Sequence, residues 1–96
     1  MKETINKEKY DLTLLHAKQG NSEALHNLGV MYHNGDYVER NYKKSVNYFI
    51  EATKLGHLSA KFYLAIAIGT GIGIKQNVDR ALLYMHELKD SGCINA

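Results

Sequence analysis

Between residues 22 and 34 the apolar positions Ala24, Leu25, Leu28, Met31 and Tyr32 recur at steps of three and four. That spacing is one stripe of a 3.6-residue helix. Ser22 stands at its start as an N-cap candidate, and Asn34-Gly35 closes it, with glycine as the left-handed cap. A second helix is predicted from Asn41, another capping residue type, with Val46, Tyr48, Phe49, Ile50 and Ala52 on its buried side and Gly56 as its stop. The pattern then returns. A helix beginning at Leu58 or Ser59 carries Ala60, Leu64, Ala65 and Ile68. Its partner begins at Asn77 and turns Ala81, Tyr84, Met85 and Leu88 inward. Ahead of all four, residues 4–19 read as a helix with Ile5, Leu12 and Leu15, which makes about five helices.

The recurrence has a fixed register. Gly20, Gly56 and Gly92 are 36 residues apart, and the same offset lays residues 21–56 over 57–92 without a gap. Ala24 then meets Ala60, Leu28 meets Leu64, Gly35 meets Gly71, Val38 meets Ile74, Asn41 meets Asn77 and Tyr48 meets Tyr84. Gly29 meets Ala65, small on small. The organisation expected is one helical-repeat domain over 1–96: a half repeat (1–20), repeat one (21–56), repeat two (57–92) and a tail (93–96). A helix pair of this length buries one face against itself and the other against the next pair. The fold class expected is all-α, an α-α superhelix: a short solenoid of antiparallel helix hairpins, read as right-handed. Small residues such as Gly29, Ala52, Ala60, Ala65 and Ala81 let the helices approach, and tyrosines fill the space between units.

One loop imitates a phosphate cradle. "GTGIGIKQN" (69–77) has three alternating glycines and a lysine. A phosphate loop requires a preceding strand and a helix whose first amides face the anion. Here the preceding segment is helical, and of the three glycines only Gly71 recurs, as Gly35. The stretch reads as a joint: Gly71 ends a helix, Ile74 tucks into the core as Val38 does, Asn77 caps the next helix and Lys75 is exposed.

Composition narrows the function. Ninety-six residues make about one domain, and the 45% apolar share argues for a folded chain. Twelve Lys+Arg against ten Asp+Glu, spread without a basic block, give a net charge of +2. That balance points to no nucleic acid and no membrane surface as partner. No apolar run approaches the roughly 20 residues that span a bilayer. Cys93 is the one cysteine, and proline is absent. A chain with no intrachain disulfide and no apolar leader fits the cytoplasm.

These residues resemble the Sel-one-like repeat, the longer cousin of the tetratricopeptide repeat. Ala24, Leu28, Gly29, Tyr32 and Gly35 match its first helix, and Lys44, Tyr48, Phe49, Ala52 and Gly56 its second. In the second unit Ala60, Leu64, Gly71, Gly73, Ile74, Ala81, Tyr84 and Gly92 match. Ala65 replaces a glycine, Ile68 a tyrosine and Ser45 an alanine, while Asn41 and Asn77 stand for the common aspartate cap. Residues 17–92 carry the resemblance. It implies a protein–protein interaction module, an adaptor or scaffold. Some secreted members carry a cysteine pair in each unit; this chain does not, so their extracellular setting is not implied.

Candidate chemistry is thin. His16, His26, His33, His57 and His86 include no i, i+4 pair with an intervening glutamate. His26 and His33 lie two turns apart, roughly 10 Å along a helix, too far to grip one ion alone. Cys93 has neither a base nor an oxyanion site assigned to it. The reading is no enzyme, no catalytic residue, no metal and no cofactor.

In related solenoids the first helix of each pair lines the concave side. That places Glu23, His26, Val30, His33 and Asn34 there, with Ser59, Phe62, Ile66, Gly69 and Thr70 as counterparts. Val30, Phe62 and Ile66 are apolar where a solvated face is polar. Together with His26, His33 and Asn34 they are the candidate site for another protein's peptide or helix; the bland alternative is packing against neighbouring helices. At the far end Asp11 aligns with Asn47 and then with Leu83, so the last helix alone turns apolar. Leu82 and Leu83 become candidates for contact with another copy, as a homodimer, or with a further segment of a longer protein, unless Ile94 in the tail folds back over them. The competing classes are such a self-associating structural module and a histidine-based metal protein or small enzyme.

Overall fold

The computed structural model describes the backbone of residues 2–92 and the side chains of residues 7–92. Five helices follow one another: α1 (Lys2–Lys18), α2 (Ser22–Asn34), α3 (Tyr42–Lys54), α4 (Leu58–Thr70) and α5 (Val78–Asp90). No strand occurs among the described residues. Packing is between helices adjacent in sequence, α1 on α2 through to α4 on α5. The fold is thus an all-α helical-repeat solenoid, 44 × 23 × 22 Å in extent.

The 36-residue register is written into the backbone. Gly20, Gly56 and Gly92 sit at equivalent corners with φ of 85°, 87° and 83°. The Asn41 amide donates to the Tyr32 carbonyl at 2.9 Å, and the Asn77 amide to Ile68 at 2.8 Å. Gly35 and Gly71 end α2 and α4, donating back to Met31 and Ala67. Helix starts are equally regular. The side-chain oxygens of Asn21, Asn41 and Asn77 accept from the third amide beyond, each at 3.0 Å. The cap of α2 is thus Asn21 and not Ser22, because Asn21 stays extended while Ser22 is already helical. α4 begins at Leu58 as expected, and its cap is His57: its Nδ1 accepts from the Ala60 amide at 3.1 Å. His57 is the repeat counterpart of Asn21, and an imidazole lone pair does the work of an amide oxygen there.

The core runs through Ala24, Leu25, Leu28, Met31, Val46, Phe49, Ala52, Ala60, Leu64, Ile68 and Ala81. Tyr48, Ile50 and Tyr84 pack on it half-buried, and Met85 is also half-buried. Ser45, the departure from alanine, is buried and donates its hydroxyl to the Gly29 carbonyl at 2.7 Å, so the polar group is satisfied. On α1 the packing residues are Tyr10, Leu14 and Ala17, whereas Leu12 and Leu15 are exposed, because this first helix packs chiefly on α2 along one face. The side chain of Ile5 lies outside the described residues, as do Cys93 and Ile94.

The glycine-rich stretch is a joint. Ile74 packs on the core as Val38 does, and Lys75 is exposed. Gly73 is required by shape: at φ 80° a Cβ would lie 2.5 Å from the Tyr42 carbonyl oxygen and 3.0 Å from Val46. This loop therefore seats repeat two on the start of α3. Its counterpart Tyr37 takes the left-handed region at φ 67° as a non-glycine, at a cost of roughly 1 kcal/mol. The Tyr37 ring lies 5.5 Å from the Lys9 ammonium.

Candidate partner-binding surface

Because α2 and α4 are the first helices of the two repeats, positions 36 apart stand on matching faces. His33 and Ile66 meet across a slot of about 170 Å³ whose floor is Ser45, Val46 and Phe49 of α3. Tyr42, Tyr63, Thr70 and Ile72 complete its walls. The His33 ring meets Tyr42 edge-on at 5.3 Å. Ile66 is 42% exposed and Tyr63 40%, while the Tyr63 ring stacks on buried Phe49 at 5.3 Å and 10°. Apolar surface is thus rooted in the core and open to solvent.

The other expected residues stand elsewhere. Val30 is half-buried and packs on the core. Phe62 is half-buried, with its ring edge-on to Tyr63 at 6.0 Å, beside the slot. Asn34 is exposed and donates to Asp36 at 3.4 Å. His26 lies in a ring stack with His57 at 4.6 Å, Tyr63 at 5.5 Å and Phe49 at 5.7 Å. Sequence reasoning missed Tyr42, Tyr63 and Ile72. A signal for Tyr63 existed, since Asn27 is its counterpart and the same polar-to-apolar switch drew attention to Leu83. Leu82 and Leu83 are exposed on α5.

Charge is pinned at the rim. His57 accepts at Nδ1, so its Nε2 carries the proton and donates to Glu23 Oε2 at 2.5 Å, joining α2 to the start of α4. That bond holds the Glu23 carboxyl below the usual carboxylate range. Burial, then the neighbouring His57, push the His26 imidazole below its ordinary value, and its buried Nδ1 has no hydrogen-bond partner. Among the described residues no three His, Cys, Asp or Glu side chains form a group able to hold a metal ion, and no helix is long and apolar enough to cross a membrane.

A family model described as the Sel1 repeat matches residues 22–57 and again 58–93. The chain belongs to the Sel1 repeat family. Chitin synthase regulatory factor 2 of Schizosaccharomyces pombe is 34% identical, over 80% of this chain and 16% of that protein. The chain therefore spans about a sixth of that relative's length. A Sel1 repeat protein from Oxalobacter formigenes superposes with a TM-score of 0.75 at 28% identity, covering 78% of this chain and 31% of that one. The Escherichia coli protective antigen c5321, described as displaying an SLR fold, gives 0.82 at 26% identity, over 85% and 18%. Helicobacter pylori cysteine-rich protein B gives 0.79 at 23% identity, over 84% and 62%, and speaks for the fold alone. Sel1 repeats are generally protein–protein interaction modules. In this one, the Glu23–His57 hydrogen bond and the close approach of Gly73 to Tyr42 both join repeat one to repeat two, and residues of both repeats line the slot.

Proposed function

We propose that the two Sel1 repeats act as an adaptor or scaffold, holding a peptide or helix of another protein along α2 and α4. The observation that carries this reading is the slot between His33 and Ile66, where exposed Tyr63 and Ile66 stand on a buried floor. Interface hot spots are of this kind: aromatic or aliphatic anchors around a pocket, with polar groups at the rim. The S. pombe relative is by name a regulatory factor, which suits a protein acting through another one. The test is recovery of bound proteins from the native cell on the immobilised chain, on Ile66→Glu and on Phe62→Glu. A partner retained by the unchanged chain and lost on both variants, with helicity preserved, supports the reading. Equal recovery on folded variants overturns it.

A second reading has its own observation. Leu82 is 63% exposed, yet it occupies on α5 the place that Val46, 4% exposed, occupies on α3 beneath the next repeat. The forward face of α5 is thus an inter-repeat face with nothing described upon it, and we infer that a second copy of the chain covers it.

A further inference from the structure

Ile68 stands where repeat one has Tyr32, and the exchange changes what lies beside it. The Tyr32 ring is buried, stacks on Tyr48 at 5.7 Å and 18°, and its hydroxyl shares a 2.8 Å hydrogen bond with Tyr10. In repeat two Tyr84 replaces Tyr48, but the ring that would stack on it is missing. A depression of about 550 Å³ lies there, with Ile50, Leu64, Ile68, Ile74 and Tyr84 as its apolar wall; its counterpart in repeat one, about 460 Å³ beside Tyr32, Val38, Glu39, Arg40, Asn41 and Lys44, does not reach the matching Leu14 and Leu28. Lys54 of α3, Lys75 of the α4–α5 loop and Arg80 of α5 border it from three elements, and no carboxylate lines it. None of these three cations is in an ion pair among the described residues. The same positions in repeat one are Lys18, Glu39 and Lys44, so the all-cationic border belongs to repeat two alone. Leu64 and Ile68 also lie on a different face of α4 from Tyr63, Ile66 and Thr70, so this is not the slot described above.

We propose that this depression binds an acidic peptide segment that inserts one aromatic side chain. The ring takes the place Tyr32 fills in repeat one and stacks on Tyr84, where offset or edge contacts are favourable. Carboxylates on either side of the ring meet Lys54, Lys75 and Arg80. A border spread over three elements suits charges distributed along a chain better than a single point anion. The volume lies within the range of ligand sites and exceeds what one ring fills, which leaves room for flanking residues.

The probe is a fluorescein-labelled Glu-Asp-Tyr-Glu-Asp peptide, titrated by anisotropy at low salt and at about 0.15 M salt, where the Debye length is about 8 Å. Saturable binding is expected. Alanine in place of the peptide's tyrosine should weaken it about tenfold, through loss of the ring. Ile68→Tyr restores the tyrosine of repeat one, puts its own ring where the peptide's ring would stack on Tyr84, and should also weaken binding at least about tenfold. Lys75→Glu, on an exposed loop that does not hold the core, should weaken it and flatten the salt dependence. Lys7→Glu makes the same charge change on the exposed side of α1, away from the depression, and should bind as the unchanged chain does. If Ile68→Tyr fails to fold, Lys75→Glu and the alanine peptide decide. No saturable binding, binding untouched by Ile68→Tyr or Lys75→Glu, or equal affinity for the alanine peptide overturns the proposal. So does competition by free 4-hydroxyphenylacetate as strong as by the peptide, because the site then takes a small aromatic acid.

Discussion

His26 concentrates the chemistry of single residues in this protein. Its ring is stacked among His57, Tyr63 and Phe49, and its Nδ1 is buried without a partner. Burial disfavours the imidazolium, so the proton affinity of His26 falls below the ordinary value of 6.5. Between that depressed value and 6.5 the unfolded chain binds more protons than the folded one, so stability declines as pH falls below 6.5. Glu23 acts in a lower window: its carboxyl is depressed from 4.5 by the His57 bond, so its contribution is present above 4.5 and lost as pH falls through the folded value. The repeat counterpart of His26 is Phe62, so His26→Phe is a swap the scaffold already makes. It removes the orphaned nitrogen and the titration together. Thermal unfolding of His26→Phe should lose less midpoint than the unchanged chain as pH falls from 6.5 toward 4.5. Parallel curves for the two would show that His26 does not set this slope.

Pairs of helices obey a size rule visible between α2 and α3. A Cβ on Gly29 would lie 2.6 Å from Phe49 Cε1, and the Phe49 ring, 3% exposed against Tyr63 and His26, has no room to swing. In repeat two the same two positions hold Ala65 and Met85, a larger residue facing a flexible side chain. Alanine gains about 1 kcal/mol of helix propensity over glycine, while overpacking a core costs about 1–3 kcal/mol. With the ring fixed, the clash wins: Gly29→Ala should destabilise by about 1–2 kcal/mol, a few degrees of melting temperature in a chain this size. Adding Phe49→Met should make Gly29→Ala nearly neutral. Urea unfolding of the four proteins in the cycle measures the coupling, and strictly additive losses would refute the size rule. The element scale is also where sequence reading succeeded best. Periodicity located four of the helices to within about two residues, and Asn41 and Asn77 cap as their type suggests. It went astray at Ser22, because the cap is the residue that stays extended after the glycine corner, here Asn21, and it assigned no cap to α4, where His57 serves.

At the scale of the whole molecule, no other described residue packs on the inter-repeat surface of α5 around Leu82. Leu82 is the sharper probe of it than Leu83, since Leu83 aligns with exposed Asn47 and Leu82 with buried Val46. Light scattering over a concentration series should give a mass rising toward a dimer for the unchanged chain and a monomer mass for Leu82→Glu. One mass for both proteins would remove the second-copy reading. The slot and the depression arise at the same scale. Each needs side chains from α3 and α4 at once.

What the sequence determined by itself is the all-α class, the 36-residue unit, the glycine corners and most of the core. Those follow from periodic burial and from backbone conformations that few residues adopt, and both are local in the chain. Only the tertiary structure decided that His33 and Ile66 share a slot with Tyr42, Tyr63 and Ile72, that His57 reaches Glu23, and that Lys54, Lys75 and Arg80 border one depression beside Ile68. These depend on distances between side chains some 20 to 40 positions apart, which the stacking of one hairpin on the next sets and a linear pattern does not carry.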